Sequence, residues 1–218
     1  REAVGAPMAG LDSEDLLELE AGLAAAPAID EGCRWALARA FRSYEAAWRK
    51  EFSREHDHFR LPGQDNIRRY RPFAAVRLRV SPDDTAFDLF ARVAAIRLTG
   101  ARVVISAPDE FDSPALALLD RIPAAWGARI EFLEESDEHL AGWLDSLPPH
   151  ADERLTYASP DRVPERIRQI AAKGGRYVAD EAMLGVGRVD LLWFLREQSV
   201  SWDYHRYGNL GMRGLVEP

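Results

Sequence analysis

The chain has 218 residues, of which 47% are hydrophobic and 29% charged. This composition is typical of a folded globular domain and excludes a disordered or low-complexity chain. A formal net charge of -8 argues against broad electrostatic binding to nucleic acid or to anionic membranes, and we expect neither partner. Cys33, the one cysteine in the sequence, excludes an intramolecular disulfide framework and a cysteine-cluster metal site, and it favours a reducing cytoplasm.

No apolar run approaches the roughly 18 to 20 residues that a membrane-spanning helix needs. The first residues, Arg1-Glu2-Ala3-Val4, lack the basic-then-apolar pattern of a signal peptide. Because the chain does not begin with Met, we expect it to be part of a longer protein.

Residues 1–60 are assigned to an N-terminal helical segment. Ser13 is followed by two acidic residues and predicts the N-cap of a helix that ends near Ala25. Asp30 predicts the N-cap of a second helix that runs to about Arg54. Apolar residues recur along this second helix at three- and four-residue steps, which indicates one buried stripe: Cys33, Leu37, Ala40, Phe41, Tyr44, Trp48 and Phe52.

Residues 61–184 alternate between strand and helix patterns after a turn signal at 61–66. Strands are predicted at 73–80, 102–106, 129–133, 155–157 and 176–179, and helices are predicted to open at Ser81-Pro82, Ser113-Pro114, Asp137 and Ser159-Pro160. Gly100 and Gly174-Gly175 predict helix ends. This alternation predicts an α/β fold with a Rossmann-like, doubly wound, mostly parallel sheet.

The tail, residues 185–218, has a different pattern. Between Val189 and Tyr207 it carries no helix punctuation, and apolar side chains occupy both faces at 191–195. Further on, Val200, Trp202 and Tyr204 alternate with polar residues, which is the period of a half-buried strand. With a turn at Gly185-Val186-Gly187, the tail predicts a hairpin or β-flap that projects from the domain.

Two segments of the α/β region resemble the cofactor domain of aldehyde dehydrogenases. Residues 100–110 read Gly-Ala-Arg-Val-Val-Ile-Ser-Ala-Pro-Asp-Glu, where that family has Gly-Asn-x-Val-Val-x-Lys-Pro-Ser-Glu. Residues 156–159, Thr-Tyr-Ala-Ser, are similar to its Phe-Thr-Gly-Ser turn. The resemblance covers Phe73 to Asp180 and implies the fold of the family's cofactor half.

Three further segments resemble the end of bacterial proline utilization A-type proteins. They are residues 51–59 (Glu-Phe-Ser-Arg-Glu-His-Asp-His-Phe), 63–70 (Gly-Gln-Asp-Asn-Ile-Arg-Arg-Tyr) and 197–211, which begins Glu-Gln-Ser-Val-Ser-Trp-Asp-Tyr-His-Arg-Tyr. Those proteins join a flavin-dependent proline dehydrogenase to an NAD-dependent dehydrogenase of glutamate γ-semialdehyde, or 1-pyrroline-5-carboxylate. The resemblance implies a parent protein that uses FAD and NAD.

The sequence departs from the family at the positions that bind cofactor and activate substrate. Ala107, before Pro108, stands where the family has the lysine that grips the adenosine ribose. Ala158, before Ser159, replaces the glycine of the phosphate-side turn. Ser81-Pro82 follows the first strand where the family has Pro-Trp-Asn, so the oxyanion-stabilising Asn is missing. We therefore expect no cofactor in this chain and no catalysis by it.

Four other groups of residues are interpreted structurally. Cys33 lies on an apolar helix face and is expected to be a small buried hydrophobe, because a nucleophilic thiol needs a lowered pKa and a cavity. Residues 55–58, Glu-His-Asp-His, carry metal-binding atoms, but capping and ion pairing are favoured because no distant ligand is identifiable. Gly185-x-Gly187 lacks the context of a dinucleotide fingerprint. Arg68-Arg69-Tyr70-Arg71 is expected to contact carboxylates of a partner domain or to form a solvated edge, and not to bind phosphate.

Residues of the tail are candidates for a protein interface, because aromatic side chains with polar tips are enriched there. The candidates are Trp193, Phe194, Trp202, Tyr204, His205, Arg206 and Tyr207. The alternative for these residues is simple core packing of a terminal strand.

Three functions follow from these patterns. The first is a non-catalytic C-terminal domain that packs against the dehydrogenase modules of its own polypeptide and helps to enclose the passage between their active sites. A homodimer formed through the flap is a further expectation. The second is a degenerate nucleotide-binding module for NAD or ADP. The third, an autonomous enzyme, needs a catalytic constellation that the sequence does not supply.

Overall fold

Five parallel strands form the central sheet of the computed structural model, which describes residues 10–109, 111, 113–121 and 130–203. The strands are β2 (Ala75–Arg79), β3 (Arg102–Ala107), β4 (Ile130–Glu134), β5 (Glu153–Thr156) and β6 (Val178–Ala179). Their order is β4-β3-β2-β5-β6. The chain therefore builds outward from β2 in one direction and then, from β5, in the other. The predicted α/β, doubly wound, parallel sheet is confirmed.

Four helices connect the strands: α3 (Ala86–Thr99), α4 (Pro114–Arg121), α5 (Asp137–Ser146) and α6 (Glu165–Lys173). Nearly all of α3 is buried, from Leu89 to Ile96, because the sheet covers one side and another helix covers the other. A short 3-10 turn, Pro160–Arg162, precedes α6. Ser159-Pro160 was expected to open α6 directly, but the helix begins after Pro164, its N-cap. A proline disfavours the helical conformation in the residue before it, and Val163 is extended.

The start of α3 differs from the expectation. Ser81-Pro82 does not open the helix; Thr85 is the N-cap, and Asp88 completes a capping box in which Thr85 Oγ1 accepts from the Asp88 N–H at 3.1 Å. Ser81 instead donates its N–H to Asp84 Oδ2 at 2.8 Å and forms the preceding turn. Gly100 ends the helix with φ +90°, as predicted, because glycine adopts this left-handed conformation without a steric penalty.

Two N-terminal helices pack against α3 from the outside. They are α1 (Glu14–Ala24), capped by Ser13, and α2 (Glu31–Ala47), capped by Asp30, and α2 continues as a π-helical turn, Trp48–Phe52. Both predicted caps are confirmed. Most of the predicted stripe of α2 is buried, and Cys33 and Trp48 are partly buried. The larger of two hydrophobic clusters contains residues from Leu11 to Leu195, so these helices share a core with β2, β3 and α3.

The tail forms helical turns and then a strand. The tail was expected to be extended from Val189, but its first residues form α7 (Gly187–Asp190) and a 3-10 turn (Leu191–Phe194). The apolar run at 191–195 is explained by this turn, because Leu191 and Phe194 enter the core from it. The predicted C-terminal β-flap is confirmed, but it is not a hairpin within the tail: β7 (Leu195–Asp203) pairs antiparallel with β1 (Gln64–Pro72), far upstream in the sequence. We call this pair the β1/β7 ribbon.

Within the part of the chain that the structure describes, no helix is both long enough and apolar enough to cross a membrane.

Candidate functional site

The sheet reverses its direction of growth between β2 and β5, and this point is where open α/β sheets bind ligands, beyond the carboxyl ends of the strands. Two loops leave the sheet there. One joins β2 to α3 over residues 80–85, and the other joins β5 to α6 over residues 157–164. We call the space between them the switch-point crevice.

Arg162 ties the two loops of the crevice together. Its Nη1 forms an ion pair with Asp84 and lies 3.9 Å from Asp88 Oδ2, and its Nη2 donates to the carbonyl oxygen of Asp83 at 2.7 Å. Burial raises the pKa of Asp84, although the N–H of Ser81 and the charge of Arg162 act against that rise. The mouth of the crevice is therefore bridged by groups of the chain itself.

Arg92 fills the crevice from below. Its residue is 1% exposed, Nε lies 3.4 Å from Thr156 Oγ1, and Nη2 donates to the carbonyl oxygens of Ala158, at 3.2 Å, and Glu181. Burial lowers the pKa of Arg92, while the nearby carboxylates Asp88 and Asp84 oppose that shift. A buried guanidinium that bonds to protein carbonyls occupies volume and donors that a ligand would need.

A second arginine occupies the other half of this edge of the sheet. Arg79, 5% exposed, donates from Nη1 to Ser106 Oγ at 3.1 Å and to the carbonyl oxygen of Glu135 at 2.8 Å, and from Nη2 to Asp137 Oδ1 at 2.6 Å. Its neighbour Arg77 pairs with Glu135 at 3.0 Å. The carboxyl ends of β2, β3 and β4 are thus covered by internal ion pairs.

Four residues were predicted to have lost a cofactor-binding role, and they follow two of the strands of the sheet. Ala107, 6% exposed, and Pro108 follow β3, and the carbonyl oxygen of Ala107 accepts from the N–H of Glu135 at 2.9 Å. Ala158, 3% exposed, and Ser159 follow β5. None of the four offers a charged side chain to the crevice. Their loss of cofactor-binding function stays a prediction.

Cys33 lies in the first turn of α2, where its N–H donates to Asp30 Oδ1 at 2.9 Å. Burial raises the pKa of its thiol, and the negative charges of Asp30 and Asp88 raise it further. A nucleophilic cysteine needs the opposite shift, because the thiolate is the reactive form.

The acidic and histidine residues at 55–58 make local contacts. His56 Nε2 lies 2.8 Å from the carbonyl oxygen of Glu51, and its ring stacks on that of His58 with the centroids 5.5 Å apart. Asp57 accepts from the N–H groups of Arg60, at 2.9 Å, and Asn66, at 3.2 Å. Among the residues described, no three His, Cys, Asp or Glu side chains are grouped so that they could hold a metal ion.

Arg68 and Arg69, two of the arginines of residues 68–71, lie on β1 and pair with carboxylates of the chain itself. Arg68 lies 3.5 Å from Glu51 Oε1, and Arg69 pairs with Glu55 at 2.9 Å. Arg69 also donates to Gln198 Oε1 on β7 at 2.7 Å. These contacts stabilise the β1/β7 ribbon and its join to the helical turn at Trp48–Phe52.

The interface candidates have different surroundings. Phe194 is 1% exposed and belongs to the core, and Trp193 is partly buried. Trp202, on the ribbon, is 57% exposed. The other candidates, Tyr204, His205, Arg206 and Tyr207, lie outside the described residues.

Sequence reasoning missed Arg92 and Asp190. Arg92 stands alone within an apolar run, Leu-Phe-Ala-Arg-Val-Ala-Ala-Ile at 89–96, and a single cation inside such a run is a signal for a buried, hydrogen-bonded group. Asp190, which is 0% exposed, follows the turn at 185–187, where a carboxylate can accept backbone N–H groups. Arg92 lies at the base of the switch-point crevice, and Asp190 lies in the segment that leads into β7.

The fold is shared with solved aldehyde dehydrogenases. Proline utilization A from Corynebacterium freiburgense aligns with 95% of this chain and 16% of its own, with a TM-score of 0.58 and 25% sequence identity. Lactaldehyde dehydrogenase from Escherichia coli aligns with 77% of this chain and 38% of its own, with a TM-score of 0.54 and 18% identity. The G224D mutant of a Bacillus cereus aldehyde dehydrogenase aligns with 77% of this chain and 36% of its own, with a TM-score of 0.53 and 18% identity.

No protein-family profile and no curated protein matches the sequence. The structural likeness shows the fold: the chain is an α/β domain whose fold is similar to that of part of these solved proteins. It spans well under half the length of each of these solved chains.

Proposed function

We propose that this chain is the non-catalytic C-terminal domain of a bifunctional proline-catabolic oxidoreductase. The parent converts proline to glutamate through glutamate γ-semialdehyde and uses FAD and NAD, and this chain holds neither. In this proposal the chain supports assembly of the parent and encloses the path along which the semialdehyde moves between the two active sites. Its compartment is the cytoplasm.

One observation carries the non-catalytic part of the proposal. The switch-point crevice, where a dinucleotide would bind, contains Arg92 and is bridged by the pair of Arg162 with Asp84. Opening it would leave a buried cation and two carbonyl groups without partners, which is costly. The raised pKa of the Cys33 thiol supports the same conclusion.

The likeness to proline utilization A supports the parentage. It extends over 95% of this chain at 25% identity, whereas the lactaldehyde dehydrogenase aligns with 77% at 18%. The larger span includes parts of the molecule outside the central sheet. The partners in this proposal are therefore the dehydrogenase modules of the same polypeptide.

The ribbon supports a contact with those modules or with a second copy of the chain. On one face of the β1/β7 ribbon, Ile67 pairs with Val200 and Asp65 with the exposed Trp202, and the outer edge of β7 forms no ladder within the described residues. Exposed apolar side chains beside an open strand edge favour association. We propose the ribbon as the surface for assembly, including a homodimer.

The coding sequence upstream of Arg1 tests the parentage. It is expected to encode a proline dehydrogenase module followed by a complete aldehyde dehydrogenase. Deleting residues 1–218 from that parent should leave each half-reaction measurable while the coupled conversion of proline to glutamate acquires a lag. Unchanged coupled kinetics and unchanged assembly would refute the enclosing role.

A matched pair of tryptophans tests the ribbon separately. Trp202→Asp on the ribbon should shift the parent or the chain toward smaller species in sedimentation velocity. Trp35→Asp is the control, because Trp35 is similarly exposed, at 49%, but lies on α2. Equal effects of the two substitutions, or no effect of Trp202→Asp, would exclude the ribbon as the assembly surface.

A degenerate nucleotide-binding module is the second candidate. The reversal of strand order between β2 and β5 favours it, because dinucleotides bind at such points. Titration calorimetry with NAD and with ADP distinguishes the two functions. The first proposal predicts no saturable heat from either nucleotide, and saturable heat would establish the second.

A further inference from the structure

A separate pocket lies at the opposite edge of the sheet, at the amino ends of β2, β5 and β6. Its volume is about 340 Å³, which lies within the range of small-molecule sites. Two proline residues, two aromatic rings and three arginines contribute to its wall: Pro148, Pro149, Phe73, Tyr177, Arg154, Arg176 and Arg196. We call it the amino-edge pocket.

Arg154 is the central cation of this pocket. The carbon at the centre of its guanidinium lies 4.4 Å from the ring centroid of Phe73 and 4.9 Å from that of Tyr177. Across the residues that the structure describes, Arg154 has no hydrogen bond and no ion pair. Aromatic rings cover the flat faces of a guanidinium and leave its in-plane N–H groups, which form the fork that binds a carboxylate with two hydrogen bonds.

The other charges at the pocket are largely engaged. Arg196 pairs with Asp152 at 2.6 Å and stacks 5.0 Å from the Phe73 ring centroid. Arg176 donates to the carbonyl oxygen of Leu147. Glu153 is the acidic side chain among the residues that line the pocket. Asp152 offsets the charge of Arg196, and the negative charge of Glu181 also acts on Arg154. Arg154 is nevertheless the guanidinium of this pocket that forms no hydrogen bond or ion pair within the described residues.

We propose that the amino-edge pocket binds a small organic acid with one carboxylate and a flat apolar body. The carboxylate accepts two hydrogen bonds from Arg154, and the apolar body lies against the rings of Phe73 and Tyr177 and against Pro148-Pro149. A neutral ligand would leave the guanidinium unpaired, and a purely inorganic anion would leave the apolar wall without a partner. This site is independent of the proposed function, because it lies at the other edge of the sheet from the switch-point crevice.

Benzoate is the probe for this site. Titrated into the 218-residue chain at neutral pH, it should produce saturable shifts of the backbone amide signals of Ala151, Gly175 and Tyr177 in heteronuclear NMR spectra. Benzyl alcohol and inorganic phosphate are titrated in parallel, and both should bind at least about 10-fold more weakly than benzoate. Benzyl alcohol lacks the carboxylate, and phosphate lacks the apolar ring.

Two variants locate the binding. Arg154→Met keeps an unbranched apolar stem but removes the guanidinium, and it should weaken benzoate binding roughly 10- to 100-fold, as expected for the loss of hydrogen bonds to a charged group. Arg102→Met is the matched control, because Arg102 begins the neighbouring strand β3 and pairs with Glu131 outside the pocket; it should leave benzoate affinity unchanged. Circular dichroism verifies folding, and Arg154→Lys replaces Arg154→Met if that variant unfolds.

The absence of saturable benzoate binding would overturn the proposal. Equal affinity in the Arg154 and Arg102 variants, or shifts confined to residues outside the pocket, would do the same. Tighter binding of phosphate than of benzoate would also overturn it, because the apolar wall would then contribute nothing.

Discussion

The Tyr44 hydroxyl donates a hydrogen bond to Asp190 Oδ2 at 2.8 Å, and both residues are fully buried. Asp190 also accepts from the N–H groups of Leu184, Gly185 and Val186 at 2.8–3.2 Å. Burial and the neighbouring carboxylate raise the pKa of Tyr44, so the phenol stays protonated and remains a donor. This contact joins α2 to the segment from which the β1/β7 ribbon starts.

Tyr44→Phe should destabilise the chain by about 1–3 kcal/mol, because it removes a buried donor and leaves a buried carboxylate with one fewer partner. Urea unfolding followed by circular dichroism measures this change. Tyr70→Phe is the control, because the Tyr70 hydroxyl lies 3.4 Å from Glu51 Oε1 in a partly buried position. A loss for Tyr44→Phe no larger than that for Tyr70→Phe would contradict the anchoring role.

Gly187→Ala should destabilise the same junction for a steric reason. A Cβ atom at Gly187 would lie 2.2 Å from the carbonyl oxygen of Ser43 and 2.8 Å from the Cβ of Ala47, so α7 would have to move away from α2. The expected cost is about 3 kcal/mol, the upper end for overpacking, measured by urea unfolding.

Gly142→Ala is the control for that substitution. Gly142 lies within α5, and a Cβ atom there would meet nothing within 4 Å. Alanine should therefore stabilise the chain by up to about 1 kcal/mol through helix propensity. Similar effects of the two substitutions would mean that α7 does not pack closely on α2.

Arg92→Met tests whether the filled crevice stabilises the fold. The substitution keeps most of the volume but leaves the carbonyl oxygens of Ala158 and Glu181 without their donor, at an expected cost of about 2–4 kcal/mol. Arg102→Met, at an exposed ion pair with Glu131, should change the unfolding free energy by less than about 0.5 kcal/mol. A neutral Arg92→Met would show that the crevice does not depend on its arginine.

Local signals in the sequence predict most of the α/β core. Ser13 and Asp30 are correctly predicted as N-caps because each precedes an acidic turn and an apolar stripe. Gly100 is correctly predicted as a helix end because a left-handed helix end favours glycine. The same signals do not predict the start of α3 correctly. Ser81 and Thr85 both precede suitable residues, and the choice depends on Asp84, which turns back to Ser81 and is held by Arg162 from another loop.

The tail and the crevice depend on contacts between distant residues, and sequence patterns do not report these. The strand β7 pairs with β1, more than 120 residues upstream, so the pattern of the tail predicts a hairpin or β-flap but not the partner strand. Leu191 and Phe194 enter the core from a 3-10 turn. In the sequence, the apolar run around them looks the same as a strand that is buried on both faces. The resemblance to aldehyde dehydrogenases predicts that cofactor-binding groups are missing, but it does not predict the buried contacts of Arg79 and Arg92.

Cys33 should react with iodoacetamide more slowly than the cysteine of an unstructured peptide, whose pKa is about 8.5. Burial, Asp30 and Asp88 raise the thiol pKa, so at any pH below that pKa less of the side chain is the reactive thiolate. The alkylation rate of the folded chain, measured against pH, should therefore have its midpoint above that of the same chain unfolded in urea. Restricted access alone would lower the rate at every pH without moving the midpoint. A midpoint below that of the unfolded chain would contradict the structural role of Cys33 and would reopen the case for a nucleophilic thiol.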